Sequence, residues 1–232
     1  MSVAKKQKHA NHPKHPAKYS DSLLPQIAEW LSGYPLVLDP FGGTGKIGHV
    51  KQHGFTGQVI SNDLEIEWAE QALDNGCDGY FVLDATDLVV FDDSSIPAIA
   101  TSPTYGSRMA DHHRAKDTSK RLTYTHLIER DLSVNNTGKM HFGSHDYCNL
   151  HWLAYLEFRR VLQPNGILIL NMSNFIKADQ EVFVSEWHVS ILEKLGFKLL
   201  EHKQIETPRM RFGKNHEKRI THENLYLFEN IK

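Results

Sequence analysis

The chain has 232 residues, a hydrophobic fraction of 40%, an aromatic fraction of 10% and a formal charge of -2, enough apolar material for one sizeable α/β core or two small ones. The near-balanced charge leaves nucleic-acid binding to be decided by how the charges are distributed. Two cysteines, Cys77 and Cys148, exclude a disulfide framework and a four-cysteine zinc site, and they fit a reducing cytoplasm; the sequence also holds no signal-peptide core and no apolar run that would span a membrane, so a cytoplasmic protein with no membrane partner is expected.

In chain order, Lys5, Lys6, Lys8, Lys14 and Lys18 meet no acid before Asp21. Residues 1–14 read as a basic flexible tail, with phosphate contact as the sharper alternative, and residues 15–232 as one domain. His9, His12 and His15 have no carboxylate or cysteine beside them, so no metal is expected. A helix follows, capped by Ser20 or Ser22, with Leu23, Leu24, Ile27, Trp30 and Leu31 as its apolar face and Gly33 as its stop. Next, Leu36-Val37-Leu38 reads as a buried strand ending in Asp39, then a glycine turn, then a helix from Lys46. The run Gly43-Thr44-Gly45-Lys46-Ile47-Gly48 fits G-x-G-x-x-G, with Asp63 about twenty residues on, and keeps an NAD-dependent oxidoreductase open. A P-loop fails, because Pro40 stands where its first glycine belongs and Ile47 where Ser or Thr should hold magnesium. An acid at Asp39 repels a pyrophosphate and suits a cationic or amino-bearing ligand. Asp39-Pro40-Phe41-Gly42-Gly43-Thr44-Gly45 resembles the cofactor motif of S-adenosylmethionine-dependent DNA methyltransferases that modify exocyclic amino groups, the cytosine-N4/adenine-N6 family.

That resemblance implies roles for flanking residues. Asp39, Pro40, Phe41, Gly42, Gly43 and Gly45 would bind S-adenosylmethionine, and Lys18, in His15-Pro16-Ala17-Lys18, would lie near its methionine part. Gln58 to Asp63 reads as strand two; Asp63 is a ribose acceptor or a helix N-cap, with Glu65 as the fallback. Tyr80 to Ala85 is strand three, where the resemblance gives Asp84 the adenine amine and the Ala85 N–H a ring nitrogen, with Asp87 as the alternative carboxylate. Ile96 to Ala100 is strand four, followed by Thr101-Ser102-Pro103-Thr104-Tyr105-Gly106. The family carries Asp, Asn or Ser, then Pro-Pro, then an aromatic here; Ser102, Pro103 and Tyr105 match, and Thr104 replaces the second proline. An exocyclic amine is a poor nucleophile because its lone pair is delocalised into the ring. The Ser102 hydroxyl and the Pro103 carbonyl, gripping its hydrogens, would favour a pyramidal nitrogen, and Tyr105 would stack on an extruded base.

Residues 107–145 read as a polar, basic insertion, either a recognition loop or a solvated one. An amphipathic helix spans His151 to Leu162, a turn Gln163 to Gly166, a fifth strand Ile167 to Asn171, and a helix Val184 to Leu195. Phe197 to Leu200 and Glu223 to Phe228 read as a closing hairpin, with basic residues from 203 to 219 between them. The expected fold is one doubly wound, mostly parallel seven-stranded α/β sheet of the Rossmann-like methyltransferase type, its C-terminal hairpin antiparallel. The expected function is methyl transfer to a base amine, in DNA before RNA and at cytosine N4 before adenine N6. Segments 107–145 and 203–219 are the expected nucleic-acid contacts, and a non-catalytic nucleic-acid-binding relative stays open.

Overall fold

The computed structural model describes residues 19–105, 128–208 and 220–232. Lys18, residues 106–127 of the polar segment and the basic run from Arg209 to Arg219 lie outside these. The strands are β1 Leu36–Asp39, β2 Gln58–Asn62, β3 Gly79–Phe81, β4 Ile96–Thr101, β5 Leu162–Met172, β6 Phe175–Lys177, β7 Gln180–Val182, β8 Phe197–Glu206 and β9 His222–Asn230. Seven of them form one sheet in the order β3-β2-β1-β4-β5-β9-β8, while β6 and β7 make a separate small hairpin. From β3 to β5 neighbouring strands run parallel, and β9 is antiparallel to both β5 and β8. This is the expected doubly wound, mostly parallel sheet with an antiparallel C-terminal pair. The helices are α1 Leu24–Trp30, α2 Ala69–Asp74, α3 His145–Val161 and α4 Val184–Lys194. No helix among the described residues is long and apolar enough to cross a membrane.

Strand residues alternate between two cores, as the period-two pleat requires. Leu38, Ile99, Leu168 and Leu170 face one layer, with Tyr155, Phe158 and Val161 of α3 and Leu192 of α4. Val37, Ala98, Ala100 and Ile169 face the other, with Leu24 and Ile27 of α1 and Val50. Burial on both faces explains why these strands read as unbroken apolar runs.

The structure departs from the sequence reading at several edges. The segment after the glycine turn, Lys46–His53, winds as a 3-10 helix; Gly48 and the β-branched Ile47 and Val50 are weak α-formers. Neither Ser20 nor Ser22 caps the first helix, and the Ser22 hydroxyl instead donates to the Glu206 carbonyl at 3.0 Å. Helix α3 begins at His145, where the Ser144 hydroxyl accepts from the Tyr147 N–H. The turn at Gln163 to Gly166 is a bulge inside β5: Leu162 lies opposite Ile96 and Ile167 opposite Ala98, with Asn165 at φ 59°. Strand β3 stops at Phe81 because the backbone of Leu83 is taken by a side chain of β2.

Candidate active site

The site lies at the carboxyl ends of β1, β2, β4 and β5, where open α/β sheets bind ligands. Asp39 ends β1 and is wholly buried. Its Oδ1 accepts from the Thr101 hydroxyl at the end of β4 (2.7 Å) and from the Phe41 N–H (3.2 Å), whereas Oδ2 has no partner among the described residues. The buried Tyr19 hydroxyl lies close enough to feel this carboxyl but short of hydrogen-bond geometry. Desolvation, only partly offset by the Thr101 and Phe41 bonds, pushes the Asp39 carboxyl up to about 7.

The glycine turn is shaped as much by protein as by any ligand. A Cβ on Gly42 would stand 2.0 Å from the Ser61 hydroxyl, and one on Gly45, at φ 66°, would stand 2.6 Å from the Ala72 Cβ. The Gly43 N–H donates to Asp63 Oδ2 at 2.9 Å, and the Glu65 N–H to Asp63 Oδ1 at 3.0 Å. Asp63 thus clamps the turn to the end of β2. It keeps some solvent exposure, yet it is packed closely enough that lost hydration pushes its carboxyl up to about 6.

Asn62 is a residue that sequence reasoning missed. Its Nδ2 donates to the carbonyls of Pro40 and Leu83, and its Oδ1 accepts from the Leu83 N–H, all at 3.0 Å. One buried carboxamide therefore joins the turn after β1 to the segment after β3. Asn62→Ala strips three bonds from buried backbone and is expected to cost about 2–4 kcal/mol in urea unfolding. The signal for it was an amide ending an otherwise apolar strand, one residue before the acid.

Beyond β3, the Asp84 Oδ1 accepts from the Thr86 N–H and hydroxyl, and its Oδ2 accepts from Asn135 Nδ2 at 2.6 Å. Ala85 is buried beside it, and Asp87 is exposed. Glu65, the fallback ribose acceptor, is fully buried and already engaged by Arg130, the Ser133 N–H and hydroxyl, and Asn136. It anchors the described end of the polar segment, whose Ile128 and Leu132 pack on Trp68.

The Ser102 to Tyr105 loop leaves β4 between two supports. On one side, Asn171 of β5 donates to the Ser102 hydroxyl (3.0 Å), the Tyr105 hydroxyl (3.1 Å) and Glu223 Oε2 (2.7 Å), and Tyr105 donates to Glu223 at 3.1 Å. On the other, the Tyr147 hydroxyl donates to the Thr104 carbonyl at 3.2 Å and meets His188 Nε2 at 2.8 Å, while the Tyr155 hydroxyl meets His188 Nδ1 at 2.5 Å. Tyr147 has spent its proton on a carbonyl, so Nε2 carries the imidazole hydrogen and Tyr155 donates to Nδ1. Burial holds His188 neutral, well below the usual histidine range. This buried chain fixes the backbone at Thr104, where the resembling family uses a second proline. Tyr147→Phe leaves the Thr104 carbonyl and the His188 Nε2–H without this partner and is expected to cost about 1–3 kcal/mol in urea unfolding, although His188 and Tyr155 remain bonded to each other.

The site is therefore rich in acceptors. Three carboxylates, Asp39, Asp63 and Asp84, follow the ends of β1, β2 and β3 on one side of the site, and Ser102, Asn171 and Glu223 gather on the other. This donor-seeking set fits an adenosyl ligand with an ammonium group, two ribose hydroxyls and an exocyclic amine, and it repels a pyrophosphate. No protein-family model and no curated protein matches the sequence. Among solved structures, an S-adenosylmethionine-dependent methyltransferase from Methanosarcina mazei superposes with a TM-score of 0.55 at 16% identity, over 89% of this chain and 97% of that one. The [4+2]-cyclase SpnF gives 0.56 at 15% identity, over 90% and 80%. TrmN from Thermus thermophilus gives 0.51 at 17% identity over 90% of this chain, which spans about half of that protein, 48%. The fold is the Rossmann-like fold of S-adenosylmethionine-dependent methyltransferases. It also serves a cyclase, so the fold alone does not set the reaction.

Proposed function

We propose that this chain transfers a methyl group from S-adenosylmethionine to an exocyclic amino nitrogen of a nucleic-acid base, with cytosine N4 in DNA as the favoured acceptor. The observation that carries this is the Thr101–Asp39 hydrogen bond, which ties the start of the Ser102-Pro103-Thr104-Tyr105 loop to the acid of the glycine turn. On this reading the group to be methylated and the cofactor share one wall. The cofactor supplies an electrophilic methyl on a sulfonium.

The chain's residues do the rest. Asp39 would take the cofactor's ammonium on the unpartnered Oδ2, Gly42, Gly43 and Gly45 would let the turn close around it with Pro40 and Phe41, and Asp63 would meet the ribose. Asp84 and Ala85 would meet the adenine, and Lys18 would approach the methionine end. Ser102 and the Pro103 carbonyl would grip the amine, and Tyr105 would stack on the base. The amine's proton leaves once the new N–C bond has formed, so no covalent enzyme intermediate is needed. Positioning of amine and methyl in line can supply roughly 7–11 kcal/mol of the barrier. Serine carries no charge and polarises the amine less than a carboxylate would, which in the resembling family goes with cytosine. The basic segments at 107–145 and 203–219 would hold phosphates, and the whole of 15–232 would be one catalytic domain.

The test is a tritiated-methyl assay on mixed DNA and RNA, followed by nucleoside mass spectrometry. N4-methylcytosine in DNA is the expected product. N6-methyladenine, or label in RNA alone, would move the acceptor while keeping the reaction. Absence of transfer to any nucleic acid, with S-adenosylmethionine bound, would leave a binding protein.

A further inference from the structure

Asn171 is the last residue but one of β5, and the parallel register sets Leu170 opposite Thr101. Asn171 therefore comes level with Ser102. Its side chain is 1% exposed. The orientation of its amide follows from chemistry. Glu223 Oε2 lies 2.7 Å away, and a carboxylate only accepts, so the NH2 end must face Glu223, and with it Ser102 and Tyr105. The Oδ1 end is then turned the other way, buried and without a partner among the described residues. A buried carbonyl oxygen left bare costs free energy unless something donates to it.

Accepting the methyl-transfer reading, we propose that Asn171 Oδ1 is a further acceptor for the substrate amine, held in that sense by Glu223. Asn171 Oδ1, contributed by β5 and lying outside the Ser-Pro-x-Tyr segment, then shares the amine's two hydrogens with Ser102 and the Pro103 carbonyl. An acceptor at that point favours a group bearing hydrogens and opposes a ring carbonyl, whose oxygen would face it lone pair to lone pair. Asn171 thus selects amino-bearing bases over keto bases. Glu223 acts through Asn171 as a positioning residue.

Sinefungin tests this without turnover, because it carries an amine where the cofactor carries its reactive methyl. In wild-type protein, calorimetry is expected to give tighter binding of sinefungin than of S-adenosylhomocysteine. Asn171→Leu should lower that preference about ten-fold or more while leaving S-adenosylhomocysteine affinity unchanged, the loss of one hydrogen bond to a charged amine. Glu223→Gln, which lets the Asn171 amide turn over, should lower it partly and keeps the test available if the leucine variant does not fold. An unchanged preference in a folded variant, or equal weakening of both ligands, would overturn the role of Asn171. Wild-type protein that binds neither ligand would overturn the cofactor reading, and this proposal with it. Wild-type protein that binds both and methylates no base, while Asn171→Leu still loses the preference, would leave the acceptor standing on an amine other than a base.

Discussion

Replacing Asp39 by Asn is expected to stabilise the ligand-free protein above pH 7 and to abolish most of its affinity for S-adenosylmethionine. Burial raises this carboxyl from 3.8 to about 7. Its folded-state value lies above its unfolded one, so its contribution to stability is fully present below pH 3.8 and is lost as pH rises through 7. A difference of that size corresponds to about 4 kcal/mol at most. The Asn variant should therefore melt higher at pH 8 and show a flatter stability profile between pH 4 and 7. Binding runs the opposite way. An ammonium beside Asp39 favours the ionised form, so wild-type binding releases a proton and tightens about ten-fold per pH unit as pH rises towards 7. Asp63, pushed up to about 6, steepens the slope below that point. Calorimetry in two buffers of different ionisation enthalpy reads the released proton directly. A wild-type affinity flat from pH 5 to 8, or undiminished in the Asn variant, would remove Asp39 from the cofactor site.

The second large effect is expected at Ser102. Ser102→Ala should cut kcat by roughly 100-fold, the scale seen when one donor or acceptor aimed at developing charge is deleted. KM should move little, because the lost bond strengthens only as the nitrogen turns pyramidal. The fold should survive, since Asn171 keeps Glu223 and Tyr105 as acceptors. Tyr105→Ala should instead raise KM, losing about 1–3 kcal/mol of stacking. Single-turnover kinetics on the unmethylated acceptor, at varied concentration, separates the two patterns. An alanine enzyme with full turnover would remove the amine grip itself.

What was legible in the sequence is what is local. The strands were visible because burial on both faces makes them continuous apolar runs, and Asp39 and Ser102 to Tyr105 were visible because each lies on a few consecutive residues. The supports of those residues were not. Asn171 stands 69 positions from Ser102, and Glu223 stands 118 from Tyr105. Neither belongs to a local pattern, and only the β4–β5–β9 order brings them together. Glu65 shows the reverse limit. Its place after β2 made it a ribose candidate, but its carboxylate is consumed by Arg130, Ser133 and Asn136, 65 to 71 positions away. The helix after the glycine turn starts at Lys46 as its pattern implies, but it winds as a 3-10 helix because Gly48 and the β-branched Ile47 and Val50 are weak α-formers.

The buried chain from Tyr155 through His188 and Tyr147 to the Thr104 carbonyl points one way along its whole length. Each hydroxyl or ring hydrogen is committed to the next acceptor, so no member can reverse without reversing all. An added proton on His188 would set a ring N–H against the Tyr155 hydroxyl hydrogen and place a charge in the core. The unfolded chain accepts that proton readily near the ordinary 6.5, whereas the folded one refuses it. This imidazole therefore contributes stability that is present above pH 6.5 and drains away in acid, opposite in sign to the Asp39 carboxyl. The tyrosine ladder that holds the Thr104 backbone still thus carries part of the protein's sensitivity to acid.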